Sequence, residues 1–331
     1  MRRLVIIPVI VLLSLPVIAL SSDGGTPPAV FALTTSLANF RAAHRPAEHR
    51  MDPVPERPDE PVGFAPVAVQ QNPPAISAVS PGLSPSLRDA VTQAMTGFPG
   101  RYSVVVQDLT SGQRWAVGEQ ERYHPASTIK LPVALYALTQ YREGRLGWND
   151  GIVFTEADYE SPGGGAFETA PFGGVYTVEN LVGRALMYSN NVAVNMLGRH
   201  LGWDNIRRWT RSIGGELSRL ADSSPQVTPL SELGWWVYLD RLSHEDPRNA
   251  ELLMGPLREV TYSGRIGAGV PRGVPYLHKF GSYDGNFHDG GVVYGKRPYV
   301  LIVMTNGAKE YEADAAIARV SAAVYNVMTD R

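Results

Sequence analysis

Apolar positions along the chain repeat with two different periods, which predict two kinds of element. Short apolar or alternating runs typical of strands cover residues 102–108, 113–117, 277–281, 291–294 and 299–305. Helical spacing covers residues 86–95, 131–143, 178–198, 204–212, 229–242 and 315–328. Strands are therefore predicted near both ends of this region, and helices fill most of its middle.

This order of elements predicts an α/β fold of the α+β type. Strands from both ends of the region would form one antiparallel β-sheet flanked by helices, and the middle helices would form an adjoining all-helical subdomain. Residues 85–331 are long enough to bury one sizeable core, so we expect them to form a single domain.

The residues before position 85 lack this periodicity. Met1-Arg2-Arg3 precedes an apolar run and then small residues, so residues 1–22 are predicted to be a signal peptide or an uncleaved signal anchor. Residues 23–84 are rich in proline and alanine and are predicted to be a disordered linker. We therefore expect the domain to be extracytoplasmic, either secreted or tethered to a membrane by the N-terminal segment.

Composition excludes several classes of function. The net charge of −2 gives no electrostatic reason to expect a nucleic-acid partner, and the absence of cysteine excludes disulfides and thiol chemistry. Only four of the thirty basic residues are lysines, namely Lys130, Lys279, Lys296 and Lys309. Arginine carries charge equally well but cannot act as a base, so the positions of the lysines are informative.

One lysine follows a serine by three positions at the start of a predicted helix. Ser127 and Lys130 would lie on the same face of the first turn, where unpaired backbone N–H groups favour negative charge. An amine beside a hydroxyl can activate the serine as a nucleophile. An ordinary polar helix start is the alternative interpretation of this pair.

Two further segments place polar residues in apolar surroundings. Ser189-Asn190-Asn191 interrupts a helix-like stretch, either as a functional group or as a helix-connecting turn. Lys279-Phe280-Gly281 ends a predicted strand, where glycine permits close approach of the backbone. The order Ser-x-x-Lys, Ser-x-Asn, Lys-x-Gly, on helix, turn and strand, is typical of class A β-lactamases and penicillin-binding proteins.

From about residue 85 onward, the chain therefore resembles the serine β-lactamase and penicillin-binding protein superfamily, and most of all its class A β-lactamase-like branch. The resemblance implies that Ser127 is acylated and that Lys130 takes or relays its proton. Ser189 would protonate the leaving nitrogen, Asn191 would bind the amide of the substrate side chain, and Lys279 would orient Ser189 and attract the substrate carboxylate.

Three further residues receive roles from the resemblance. The backbone N–H groups of Ser127 and Ser282 would form the oxyanion hole, with Gly281 between Ser282 and the motif lysine. Arg265 stands fourteen residues before Lys279 and would bind the substrate carboxylate, as an arginine near this position does in some relatives. A solvated loop arginine is the alternative.

The sequence departs from the class A pattern at three places. Asn190 replaces an aspartate, and Phe280 replaces a threonine or serine whose hydroxyl would face the substrate carboxylate; Ser282 could compensate. The glutamate that activates the hydrolytic water has no clear counterpart. If Leu217-Ser218 matches the usual Leu-Asn, Gly214 occupies its place and Glu216, offset by two, is the candidate for deacylation.

These observations predict an exported serine hydrolase that forms an acyl-enzyme with a β-lactam and needs neither a metal nor an organic cofactor. A D-alanyl-D-alanine carboxypeptidase or penicillin-binding enzyme of cell-wall peptide is the first alternative, and a catalytically weak peptide-binding module is the second. We expect a monomer. His278, His288 and Asp289 could in principle bind a metal, although their spacing matches no common metal motif.

Overall fold

The computed structural model describes residues 84–219 and 224–329. The predicted export segment, residues 1–22, lies outside the described residues, and so does all of the predicted linker except Ser84, where the first helix begins. Within the described part of the chain, no helix has the length and apolar character needed to cross a membrane.

A five-stranded antiparallel sheet forms the centre of the fold, with the strand order β2-β1-β9-β8-β7. Its strands are β1 (Arg101–Asp108), β2 (Arg114–Val117), β7 (Tyr276–Tyr283), β8 (Asn286–Val293) and β9 (Tyr299–Asn306). Strand β1 pairs with β9, so both ends of the described chain contribute to one sheet, as the hydrophobic pattern predicts.

Helices account for about half of the described residues outside this sheet. They are α1 (Ser84–Ala94), α2 (Lys130–Arg142), α3 (Val178–Met187), α4 (Asn191–Leu201), α5 (Trp203–Ser212), α6 (Pro229–Glu245), α7 (Pro247–Arg258), α8 (Ile266–Gly269) and α9 (Glu310–Thr329). Two small antiparallel pairs, β3 (Gly151–Val153) with β4 (Val175–Thr177) and β5 (Ser218–Arg219) with β6 (Pro225–Gln226), connect the helices.

The two faces of the central sheet bury separate apolar cores because side chains alternate along each strand. Val300, Ile302 and Met304 of β9 pack with the apolar faces of α2 to α7. Tyr299, Leu301 and Val303 pack on the opposite face with α1 and α9. The fold is therefore an antiparallel sheet flanked by helices, and the expectation of this fold class is confirmed.

Several elements differ from the sequence predictions; for example, α9 begins at Glu310, five residues before its predicted start. The helix expected over residues 178–198 is two helices, α3 and α4, because the polar residues Ser189 and Asn190 break it. Helix α7 was not predicted, although Asp246 caps it and Pro247 occupies its first turn. Strand β8 begins at Asn286, five residues before the predicted start, because its polar first half lacks an apolar signal.

Candidate active site

The candidate nucleophile lies in a strained turn at the entrance to a helix. Ser127 belongs to a single 3-10 turn, Ala126–Ile129, that leads directly into α2. Ala126 immediately before it has a φ of +49°, a conformation that non-glycine residues rarely adopt. Such strain persists only where the surrounding structure imposes it, and it clusters at functional sites.

Lys130 contacts the hydroxyl of this serine. Its Nζ lies 2.6 Å from Ser127 Oγ and 2.7 Å from Asn191 Oδ1 on α4. Because Lys130 is buried, its pKa falls to about 8, although the carboxylate of Glu160 opposes the shift. About a tenth of the amine is therefore neutral at pH 7, far more than for an ordinary lysine, and this neutral form can accept a proton from Ser127.

The second candidate hydroxyl lies in the break between α3 and α4. Ser189 has a φ of +54°, which turns its side chain out of the helical path. The Nζ of Lys279 on β7 lies 3.1 Å from Ser189 Oγ and 2.9 Å from the carbonyl oxygen of Phe280. Burial, reinforced by the nearby charge of Lys130, lowers the pKa of Lys279 well below its usual value.

Asn190 explains how the break is held in place. Its Oδ1 accepts the backbone N–H of Ala193 at 2.8 Å and so caps α4, while its Nδ2 donates to Gly164 O at 2.6 Å. An aspartate at this position would keep the cap but could not donate to Gly164. The asparagine that departs from the class A pattern therefore has a bonding partner of its own.

Strand β7 approaches the nucleophile turn closely because Gly281 has no side chain. A Cβ on Gly281 would lie 2.9 Å from Ser127 N and 3.1 Å from Pro125 O, which are both backbone atoms. Ser282 follows on the same strand. The backbone segments expected to form the oxyanion hole are therefore adjacent.

Arg265, expected to bind a substrate carboxylate, is fully buried. Its Nε donates to Asp314 Oδ1, and its Nη1 donates to the carbonyl oxygens of Gly281 and His288. Its Nη2 donates to Ser282 Oγ at 2.8 Å and to Glu310 Oε1 at 3.0 Å. The residue is therefore part of the structure beneath the site and not a solvated loop arginine.

Glu216, the candidate for deacylation, makes different contacts. Its carboxylate lies 3.6 Å from Arg122 Nη2, and its side chain is 42% exposed. Within the described residues, no hydrogen bond or ion pair joins Glu216 to Ser127, Lys130 or Ser189. The structure therefore does not bring Glu216 together with the other candidate residues.

A carboxylate that the sequence interpretation missed contacts this network instead. Glu160 Oε1 accepts the Nδ2 of Asn191 at 2.7 Å, and its Oε2 accepts the Nδ2 of Asn195 at 3.1 Å. Asn191 and Asn195 lie one turn apart on one face of α4, and that spacing is the one sequence signal for a shared acceptor. The loop around Glu160 has no periodicity.

A second missed carboxyl lies behind the site. Glu232 on α6 is fully buried, and burial together with the charge of Asp289 raises its pKa to about 8. A Cβ on Gly290 would lie 2.2 Å from Glu232 Oε1, so the glycine of β8 leaves room for the carboxyl. Glu232 is thus held neutral within the protein interior at pH 7.

The alternative metal site is not formed by its three candidate residues. His278 Nδ1 lies 3.0 Å from Asp289, whereas the Nε2 of His288 faces the carbonyl oxygen of His124 at 2.8 Å. His288 and Asp289 are neighbours on one strand, so their side chains point to opposite faces. Among the described residues, no group of three or more potential ligands could hold a metal ion.

Beside Ser189, a surface depression provides space for a ligand. It is lined by Gly163, Gly165, Ala166, Glu168, Arg184, Tyr188, Ser189 and Asn190. The backbone N–H groups of Gly163 and Gly164 donate to the Glu168 carboxylate at 3.1 and 3.2 Å, which holds this loop in place.

Comparisons with known proteins show which proteins this chain resembles in sequence and in fold. A β-lactamase of Rhodobacter capsulatus is 30% identical over 143 residues, which are 43% of this chain and 48% of that protein. The chain thus matches about half the length of that relative. Among solved structures, a β-lactamase from Xanthomonas campestris pv. campestris superposes with a TM-score of 0.64 at 23% identity, over 73% of this chain and 97% of that one.

A variant of PBP-A, solved as an acyl-enzyme complex with penicillin G, superposes with a TM-score of 0.68 at 19% identity, over 74% of this chain and 97% of that one. At this level of identity the likeness shows the fold alone. The Beta-lactamase enzyme family, in contrast, matches residues 83–328, which include the whole described domain apart from its last residue. By that match, and by a fold that agrees with it, the chain belongs to the β-lactamase enzyme family.

Proposed function

We propose that the protein is an exported serine hydrolase that opens β-lactams through an acyl-enzyme. The observation that carries the proposal is the 2.6 Å contact between Lys130 Nζ and Ser127 Oγ, made by an amine whose pKa is about 8. A neutral amine at hydrogen-bonding distance from a hydroxyl can act as its general base.

Acylation then proceeds in two steps. Ser127 Oγ attacks the carbonyl carbon of the β-lactam while its proton passes to Lys130 Nζ, and negative charge develops on the carbonyl oxygen. Backbone N–H groups of Ser127 and Ser282 stabilise this charge; losing one such donor costs about 3 kcal/mol in a studied protease. The C–N bond breaks as Ser189 Oγ passes to the nitrogen the proton that Lys130 took from Ser127, so that Ser189 and Lys130 both return to their starting protonation states. The Nζ of Lys279, 3.1 Å from Ser189 Oγ, holds the relaying hydroxyl in place.

Deacylation requires a water molecule to attack the resulting ester. Within the described residues, Glu160 is the carboxylate that hydrogen-bonds the Lys130–Asn191 network, and Glu216 does not reach it. Because Glu216, the candidate for deacylation, pairs with Arg122 instead, a second candidate function is a penicillin-binding enzyme acting on D-alanyl peptide, in which the acyl-enzyme hydrolyses slowly. A catalytically weak peptide-binding module would hold the peptide, or be acylated by it, without turnover.

One experiment separates these functions. The purified domain is incubated with a chromogenic cephalosporin and, separately, with a fluorescent penicillin, and its intact mass is then measured. Continuous colour development supports a β-lactamase, whereas a long-lived adduct without turnover supports the penicillin-binding enzyme. Ser127→Ala must abolish both signals. Absence of both signals in the unaltered protein contradicts the acyl-enzyme proposal.

Export is proposed from the sequence of residues 1–22, a basic start followed by an apolar run. Fractionation of cells producing the full chain tests it. Protein outside the cytoplasm supports the proposal, and a cytoplasmic pool that retains residues 1–22 contradicts it.

A further inference from the structure

The buried guanidinium of Arg265 and the hydroxyl of Ser282 form a pair of donors that the proposed acylation does not use. Arg265 Nη2 donates to Ser282 Oγ at 2.8 Å, and both groups donate to one acceptor, Glu310 Oε1. The distances to that oxygen are 3.0 Å from Nη2 and 2.6 Å from Ser282 Oγ. Glu310 is the first residue of α9.

This pair lies next to the proposed reaction centre. Ser282 directly follows Gly281, and a Cβ on Gly281 would lie 2.9 Å from the backbone nitrogen of Ser127. A carboxylate bound by Arg265 and Ser282 would therefore lie one residue along β7 from the nucleophile turn. One residue along a strand spans about 3.3 Å, so this carboxylate would lie near an acyl donor that reacts with Ser127.

The carboxylate of Glu310 already holds this position. Arg265 is fully buried and is also paired with Asp314 on the same helix, through Nε to Oδ1 at 2.7 Å. One positive charge thus faces two carboxylates. A substrate carboxylate would have to displace Glu310 or stand as a third negative charge beside it, and like charges at short range repel.

Phe280 removes another possible donor from the same side of β7. Its side chain shares a strand face with Ser282, and its ring lies 4.8 Å from that of Tyr262. The Glu310 side chain is 52% exposed, whereas that of Arg265 is fully buried. Glu310 can therefore move away from Arg265 into solvent if it loses its charge. The charge of Glu310 and the absence of a hydroxyl at Phe280 therefore both oppose a substrate carboxylate here.

We propose that Glu310 determines specificity by occupying the anion position of Arg265 and Ser282, so that the site prefers acyl donors without a carboxylate beside the scissile bond. The preferred substrates are esters or amides that carry no charge on the part of the molecule that faces Arg265 and Ser282. This inference rests on the proposed acyl-enzyme function.

The test uses one penicillin in two forms, the free acid and its methyl ester. Second-order rate constants for acylation are measured by intact mass for the unaltered protein, Glu310→Gln, Glu310→Ala and the control Glu312→Gln. Glu312 lies in the same first turn and accepts the backbone N–H of Lys309, away from Arg265. Asp314 keeps Arg265 paired in every variant.

We expect Glu310→Ala to raise the rate constant for the acid about tenfold and that for the ester less than twofold, the scale of one lost charge repulsion. Glu310→Gln should give a smaller gain for the acid, and Glu312→Gln should change neither. Equal changes for acid and ester, or slower acylation by the acid, would overturn the role of Glu310 while leaving the acyl-enzyme intact. No adduct in any variant with either form would overturn the proposed function, and this inference with it.

Discussion

Lys130 concentrates the chemistry of the candidate site in one amine. Burial lowers its pKa to about 8, and the charge of Glu160 opposes that shift. The Nζ donates a hydrogen bond to Asn191 Oδ1, which fixes the position of the amine. The amine is a base only when it is neutral, and the neutral fraction grows as pH rises toward the pKa. The rate of acylation should therefore follow the titration of this one group.

We expect the acylation rate constant to rise about tenfold per pH unit well below the pKa and to level off above about pH 8, as for a single general base. This profile is measured by stopped-flow fluorescence with a fluorescent penicillin, from about pH 5 to about pH 10. A rate that is flat across the range, or that falls as pH rises toward 8, contradicts the role of Lys130 as base.

Glu160 supplies a matched variant for the same profile. Glu160→Gln keeps an acceptor for Asn191 but removes the negative charge that raises the Lys130 pKa. The rising limb should therefore move to lower pH, and acylation at pH 7 should become faster. Glu168→Gln, on the same loop but bonded to backbone N–H groups, is the control and should leave the limb in place. If the rising limb moves to higher pH in Glu160→Gln, this account is contradicted.

Asn190 offers a test of stability at the residue scale. Asn190→Asp retains the cap on α4 but places a carboxylate against the carbonyl oxygen of Gly164, to which the amide now donates. We expect the free energy of unfolding to fall by about 1–3 kcal/mol, the cost of an unpaired buried polar group. Urea denaturation measures it. The exposed Asn180→Asp is the control and should stay within about 0.5 kcal/mol.

At the scale of elements, the site depends on the contact between β7 and the nucleophile turn. Backbone atoms of Ser127 and Pro125 lie where a side chain on Gly281 would begin, so neither element can move closer. The positive φ of Ala126 shows that the turn is held against its own preference. The geometry of acylation therefore depends on how these two elements are spaced.

Gly281→Ala should widen this spacing. We expect acylation to slow by about a hundredfold, because small displacements of reacting groups have effects of that size. The overpacked contact should also lower the free energy of unfolding by about 1–3 kcal/mol. Both quantities are measured on the same preparation, by intact mass and by urea denaturation.

Gly183→Ala is the matched control for this substitution. Its Cβ would meet nothing within 4 Å, and it lies inside α3. An alanine there should stabilise the protein by roughly 0.5–1 kcal/mol without slowing acylation. If Gly281→Ala acylates as fast as Gly183→Ala, the contact between β7 and the turn is not what positions Ser127.

At the scale of the whole molecule, two apolar cores on opposite faces of one sheet hold the site between them. The core shared with α2 to α7 positions Lys130 and the α3–α4 break, and the core under α1 and α9 positions Arg265 and its carboxylates. The candidate residues thus come from a turn, a helix break and an edge strand that only the complete fold brings together.

This arrangement explains which features could be predicted from the sequence. The spacing of apolar residues predicts most of the helices and a sheet formed by strands from both ends of the region, because the residues that an element buries recur with the period of that element. The motif serines and lysines could be recognised by their order along the chain. Ser127, Lys130 and Ser189 lie where elements begin or break, whereas Lys279, expected at the end of a strand, lies in the middle of β7. The first half of β8 escaped because its polar residues give no apolar alternation. Helix α7 escaped although Ala250, Leu253 and Leu257 have helical spacing, because Pro256 within it is typical of a helix break.

Glu160 and Glu310 could not be found in this way. Glu160 lies in a loop whose conformation depends on long-range bonds to α4, and Glu310 meets Arg265 only once α9 packs against α8, which Arg265 directly precedes. Both contacts join residues that are far apart in the sequence, so no local sequence pattern predicts them. For the same reason, the sequence offered Glu216 as a deacylation candidate although its carboxylate pairs with Arg122.

The central claim is that Ser127, activated by Lys130, forms a covalent bond with the substrate. The most direct measurement is peptide mapping by mass spectrometry after brief exposure to a penicillin and acid quenching. The account expects one acyl group, on the peptide that contains Ser127, with none in Ser127→Ala and at least about a hundredfold slower labelling in Lys130→Arg, since arginine cannot act as a base. An acyl group on any other residue, or labelling that persists in Ser127→Ala, would contradict it.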